Sequence, residues 1–232
     1  MEHLTFLYDD GDIFAVYKPS GVHSVRLPAG GGVSVADALA LYDPNLVRAS
    51  PQPVDCGLIQ RLDLETSGVL LGARSRELWS LLYEALLDGR IKKRYVALVE
   101  GEIQATMSIA SFIGTPHRGA RKVKIYEKEP AKSARALPGS TVFSPLAHPC
   151  PAGMTLVVAQ ASPARRHQVR AHAAFLKHPL VGDRLYGGTL SLSDISPTPR
   201  AFFLHAWQIS FIHPRTTTEV AIQSDFEAEL SF

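Results

Sequence analysis

The sequence predicts an α+β fold, because strand-like and helix-like segments intermix without the regular alternation that a doubly wound parallel sheet requires. Two observations carry this. Short β-leaning apolar runs such as Ile13 to Tyr17 and Met154 to Gln160 are bounded by turn residues. Between them, Glu77 to Asp88 sets Leu78, Leu81, Leu82, Ala85 and Leu86 at helical spacing, with Gly89 where a C-cap belongs.

In chain order, Ile13 to Tyr17 follows the turn-prone Asp9-Asp10-Gly11-Asp12 and leads into a turn at Lys18-Pro19-Ser20-Gly21. A second strand is expected over Val69 to Ala73, then the Glu77 to Asp88 helix, then a strand over Tyr95 to Val99 closed by Glu100-Gly101. Val142 and Phe143, and Phe202 to Leu204, read as weaker strands around the strong one at Met154 to Gln160. Ser162-Pro163 has the chemistry of an N-cap and first helical position, which predicts a helix to about Lys177, ending before Pro179. Leu27 to Val33, Asp43 to Asp55, His148 to Gly153 and Gly187 to Pro199 read as loops, and no repeat or heptad interrupts the pattern.

A chain of 232 residues with 46% hydrophobic content is long enough for one sizeable core, so a single catalytic domain over residues 1–232 is expected. Its longest apolar stretches fall far short of the roughly 20 residues of a membrane span. The start, Met1 to Asp10, carries Glu2, Asp9 and Asp10 and lacks the features of a secretion signal, so the expected location is cytoplasmic. Cys56 and Cys150 form neither a zinc spacing nor a disulfide framework. The net charge of +2 says less than its distribution. Arg90, Lys92, Lys93 and Arg94 fill four of five positions, and Arg118, Arg121, Lys122, Lys124, Lys128, Lys132 and Arg135 oppose only Glu127 and Glu129 locally. Such runs are read either as a solvated face or as contacts to a polyanion.

Chemistry concentrates in two segments. Gln60-Arg61-Leu62-Asp63-Leu64-Glu65-Thr66-Ser67-Gly68 sets a carboxylate beside a guanidinium and two hydroxyls in a turn-like setting. Two readings are open for Asp63: a nucleophile or base kept ionised by Arg61 or another arginine, or a turn cap using Thr66 or Ser67. Arg165-Arg166-His167-Gln168-Val169-Arg170-Ala171-His172 opens the predicted helix, with Arg165, Val169 and His172 on one face and Arg166 and Arg170 on the next. That end suits a phosphodiester, though a solvated basic helix has the same pattern. Tyr95, behind the basic run, offers a ring on which a base can stack. Walker, dinucleotide-binding and nucleophile-elbow motifs are missing, and His167 and His172 lack metal-ligand spacing.

Taken together, these segments resemble the RluA branch of the pseudouridine synthases. Arg61-Leu62-Asp63-Leu64-Glu65-Thr66-Ser67-Gly68 is similar to that family's RLDxxTSG motif, Lys18-Pro19-Ser20-Gly21 to its KPxG, and Lys93 to Gly101 to its KxYxAxVxG. Arg165 to His172 resembles its RxHQxRxH, Gly182-Asp183-Arg184-Leu185-Tyr186-Gly187 its GDxxYG, and Leu204-His205-Ala206 also fits. Gln60 stands where the family usually has His, and Ala164 where it usually has Gly.

The resemblance implies a long, mostly antiparallel sheet flanked by helices, with an active site in a central cleft; since the chain begins almost at the first motif, the S4 domain that many relatives carry is not expected. It implies isomerisation of uridine to pseudouridine in ribosomal or transfer RNA, without cofactor, metal, membrane or obligate protein partner. Asp63 would be the nucleophile, at C1′ of the sugar or C6 of the ring. Arg165 would hold its charge, Tyr95 would stack on the base, and Arg61 would fill the space of an extruded base. Lys18, Lys92, Lys93, Arg94, Arg121, Lys122, Lys124, His167, Gln168, Arg170 and His172 would contact RNA. Two rivals have different chemistry: an RNA-binding protein on the same fold without catalysis, and a carboxylate-dependent hydrolase with Glu65 as second acid.

Overall fold

The computed structural model describes residues 4–27, 32–117, 119–132, 135–192 and 200–230. Arg118 and parts of the Met1 to Asp10, Leu27 to Val33 and Gly187 to Pro199 segments lie outside the described residues. Within them the chain forms ten strands and three α-helices, the α+β mixture expected. It divides into two compact units, residues 1–92 with 206–225, and residues 93–205 with 226–232.

The first unit holds β1 (Phe6–Asp9), β2 (Ile13–Lys18), β3 (Ser67–Ala73), most of β9 (Leu204–Ile212) and β10 (Glu219–Gln223), in the order β1-β2-β3-β9-β10. The β1–β2, β2–β3 and β9–β10 pairs are antiparallel. Both faces of β2 and β3 are covered, which is why their sequences read as continuous apolar runs. Ile13, Ala15, Val69 and Leu71 pack against Leu78, Trp79, Leu82 and Ala85 of α2 (Arg76–Leu87). Phe14, Val16 and Leu70 pack against Val35, Ala36 and Leu39 of α1 (Val35–Tyr42). The Ser75 side chain caps α2 by accepting from Leu78 N, and Gly89 follows the C-cap residue Asp88 at φ 71°.

The second unit holds β4 (Lys92–Glu100, within the unit from Lys93), β5 (Met107–Gly114), β6 (Lys124–Tyr126), β7 (Leu137–Pro145) and β8 (Met154–Ser162). Their order is β4-β8-β7-β5-β6, and every one of these pairings is antiparallel. One face of β5 and β7 is covered by α3 (Gln168–Phe175), where His172 lies between Ser111 and Thr141.

The expected helix start at Ser162-Pro163 is corrected here. Ser162 is the last residue of β8, held extended opposite Ser140, and its carbonyl accepts from Ser140 Oγ. Sheet pairing outweighs the local capping preference, and α3 begins only at Gln168. Arg165 and Arg166 therefore sit in the preceding turn, and the shared helical face expected for Arg165 with Val169 and His172 does not exist.

Candidate active site

In the first unit Asp63 lies at a turn before β3, with Thr66 N donating to the Asp63 carbonyl at 3.1 Å. A second loop, residues 18–24, is stitched to that turn. The Lys18 ammonium is fully buried and donates to the carbonyls of Pro19, Val22 and Leu64 at 2.9, 2.7 and 3.0 Å. Gly21 N donates to the same Leu64 carbonyl, Ser20 Oγ donates to Glu65 O, and Leu62 N donates to Ser24 Oγ at 2.9 Å. Both neighbours of Asp63 are thus fixed through their main chains, while its own side chain is half-buried. Gly68 lies at φ 109°, and a Cβ there would meet the Ala206 carbonyl oxygen at 2.3 Å, so the glycine of the TSG motif permits backbone-to-backbone contact with β9.

One expectation changes in this unit, that for Lys18. Lys18 is no phosphate contact, because its three donors are spent on carbonyls and it has no exposed surface. Arg61 turns to Asp55, with Nη2 and Nε at 2.8 and 3.2 Å from Asp55 Oδ1, and its side chain is 56% exposed. Gln60, at the family's usual histidine position, donates to Val69 O at 3.4 Å.

In the second unit Tyr95 and Lys93 are alternate residues of β4, both buried, opposite Ala159 and Ala161 of β8. Desolvation pushes the Lys93 ammonium down to about 7. A buried lysine whose charge is disfavoured by desolvation is not the phosphate contact expected, whereas Arg94 between the two is exposed. Lys92 is exposed and donates to Gly89 O at 2.8 Å.

The turn from β8 to α3 presents Arg165. Its main-chain N donates to Gln168 Oε1 at 2.9 Å, and its Nε approaches Pro138 O at 3.4 Å. Gln168 is buried, and its amide donates to Ser140 O at 2.8 Å and Thr141 Oγ1 at 3.2 Å. It therefore joins the Arg165 turn to β7 and does not face RNA. Gly139 belongs to the same joint, since a Cβ there would meet Gln168 Oε1 at 2.7 Å.

Arg170 and His172 are corrected likewise. Arg170 is buried and bidentate to Asp183 at 2.7 and 2.9 Å, with Phe202 and Tyr186 rings 4.1 and 5.1 Å from its guanidinium carbon. His172 is fully buried, both ring nitrogens engaged by Ser111 and Thr141 hydroxyls at 2.8 and 2.7 Å, and burial pushes it down to about 4. It is a neutral core histidine. His167 is half-buried, its Nδ1 3.0 Å from the Tyr186 hydroxyl, which itself accepts from Val123 N. Arg121, Lys122 and Lys124 are exposed, as a contact to RNA requires.

A family model described as RNA pseudouridylate synthase matches residues 12–175, which includes Asp63, Tyr95 and Arg165. The chain belongs to the RNA pseudouridylate synthase family. It is 31% identical over 98% of its length to an uncharacterized RNA pseudouridine synthase of Mycoplasma pneumoniae, covering 68% of that protein. It is 30% identical to ribosomal large subunit pseudouridine synthase D of Xylella fastidiosa over 98% of its length and 67% of the relative's. Among solved structures, human RNA pseudouridylate synthase domain containing 1 superposes with a TM-score of 0.72 at 25% identity, over 98% of this chain and 87% of that one. This pseudouridine synthase is thus an RNA-modifying isomerase of the RluA type, as its motif order implies.

The sequence assigned no role to the residues that brace these segments: Ser20 and Ser24, which fix the Asp63 turn in the first unit, and Tyr186 and Asp183, which brace α3 in the second. The last two stand in the GDxxYG segment, so a motif marked them; nothing in the sequence near Ser24 did.

Proposed function

We propose that this pseudouridine synthase converts particular uridines of structured ribosomal or transfer RNA to pseudouridine in the cytoplasm, with Asp63 as nucleophile and no cofactor. The observation that carries the assignment is the Asp63 turn. Its main chain is fixed from both sides by the Lys18–Ser24 loop, and Asp63 itself is half-buried. A turn cap would need none of that bracing, whereas a nucleophile must be held in place against the reacting atom. Tyr95 is proposed as the surface on which the base stacks and Arg165 as the countercharge.

The reaction breaks the N1–C1′ bond and forms C5–C1′, while C5 gives up a proton and N1 takes one, so that a carboxylate attacking at C1′ or C6 can carry the intermediate and is released again at the end. An exposed ion pair such as Arg61–Asp55 holds its arginine with only about 0–1 kcal/mol, which leaves Arg61 available to occupy the space of an extruded base.

Asp63→Asn tests the assignment. It should keep fold and RNA affinity, while single-turnover pseudouridine formation with enzyme in excess falls about 10⁵-fold, roughly 7 kcal/mol of transition-state stabilisation. A folded Asp63→Asn protein within tenfold of the wild-type rate removes Asp63 from the nucleophile role.

A further inference from the structure

Cross-strand partners share a face, so the register of the second unit sets Phe112 with Pro138 and Tyr126, and Ser140 with Ala110 and Ser162. Ser111, Gly139 and Thr141 alternate onto the opposite face, the one covered by α3. The side turned away from α3 carries a groove of about 400 Å³ walled by Phe112, Glu127, Pro138, Ser140, Ser162 and Pro163. It abuts the turn bearing Arg165, because Pro163 begins that turn and Pro138 O receives the Arg165 Nε approach.

The chemistry of these walls fits a base more closely than a phosphate. Ala110, Ser140 and Ser162 give a low floor, while the Phe112 ring and two prolines offer flat apolar surfaces against which a base stacks. The Ser140 hydroxyl is spent on Ser162 O, and among the described residues no Lys or Arg lines the groove to hold an anion. The one ionised wall is a carboxylate. Glu127 follows β6 in a segment where Arg121, Lys122, Lys124 and Lys128 outnumber Glu127 and Glu129, and of these charged side chains it is the carboxylate of Glu127 that lines the groove.

We propose that this groove is a base-reading subsite of the pseudouridine synthase, taking an unpaired guanine of the RNA strand with Glu127 accepting from its Watson–Crick edge. Guanine presents N1–H and the N2 amino group side by side, matching the two carboxylate oxygens. Adenine and cytosine offer a single amino group, and uracil places its N3–H between two carbonyls that oppose a carboxylate. The order of preference is therefore guanine, then adenine and cytosine, then uracil. Lys124, on the same face as Phe112 and with Nζ 5.0 Å from the Tyr126 ring centroid, is placed to take the phosphate of the same nucleotide. The proposal rests on the chain acting on RNA, and it adds a sequence preference that no catalytic residue supplies.

The test titrates the full chain with guanosine, adenosine, cytidine and uridine 5′-monophosphates and follows backbone amide resonances. Guanosine monophosphate should shift the Ser111, Phe112 and Ser140 amides and bind more tightly than uridine monophosphate. Glu127→Gln should weaken guanosine monophosphate about tenfold and uridine monophosphate little, because the charged bidentate acceptor is lost. Phe112→Leu should weaken all four alike. Equal affinity for the four nucleotides, or an unchanged affinity in Glu127→Gln, overturns the guanine subsite. Pseudouridine formation is measured separately on uridine-labelled RNA. Product without a groove response refutes the subsite alone, and a groove response without product refutes the catalytic assignment alone.

Discussion

Tyr95 is buried on β4 with its register fixed by the pairing to Ala159, so the ring cannot move away without disturbing the strand. Tyr95→Phe keeps that ring and removes only the hydroxyl. RNA affinity should stay at the wild-type value while single-turnover isomerisation slows about 10- to 100-fold, the equivalent of one buried hydrogen bond of roughly 1–3 kcal/mol. A variant that turns over as fast as the wild type would limit Tyr95 to stacking. At this scale the motifs marked the side chains proposed here as reactive and misread several cations. Lys18, Lys93 and Arg170 have the letters of phosphate ligands, and a sequence does not show that three carbonyls, a desolvated strand and Asp183 take them up. Burial separates them from Arg94, Arg121 and Lys124, and burial depends on partners distant in the chain.

The elements show the same division between local and distant causes. α2 was legible because its apolar spacing and Gly89 agree, and the Ser75 cap found in the structure agrees with both. The capping box of α1 was hidden next to a glycine-rich stretch, and its N3 residue is Asp37, not the usual Glu or Gln. β5 was missed because Ser108, Ala110 and Ser111 give its alternation little contrast, and the start of α3 was misplaced because β7 holds Ser162 extended. α3 makes a prediction that belongs to the element. His172 is buried neutral, with a folded value of about 4 against 6.5 in the unfolded chain. The unfolded state therefore binds the extra proton between those values, and stability falls as pH drops from 6.5 toward 4, by up to roughly 3 kcal/mol. Denaturant unfolding at pH 7.5 and 4.5 should show the wild type losing most of its advantage over His172→Gln. An advantage that is the same at both pH values would mean that the imidazole titrates in the core as it does in the unfolded chain.

For the whole molecule, a net charge of +2 conceals a division of labour among its 24 Lys and Arg residues. Some are structural: Arg170 lies in a buried pair, and Arg74 pairs with Asp9 and Asp43 in the first unit. Others have exposed heads near the β5–β6 hairpin, where Arg121, Lys122 and Lys124 follow one another with only the buried Val123 between. Phosphate binding releases counterions, so each true contact contributes about 0.7 to 0.9 to the slope of log affinity against log salt. Arg121→Ala, Lys122→Ala and Lys124→Ala should each lower that slope by roughly this amount and weaken all RNAs alike, without changing stability. Arg170→Met should do the reverse. It leaves Asp183 buried without its partner, at a cost of about 3–5 kcal/mol in folding, while the salt slope of the protein that remains folded is unchanged. Unchanged slopes in all three surface variants would show the basic run to be a solvated face, and a lowered slope in Arg170→Met would show that its charge reaches the RNA despite its burial.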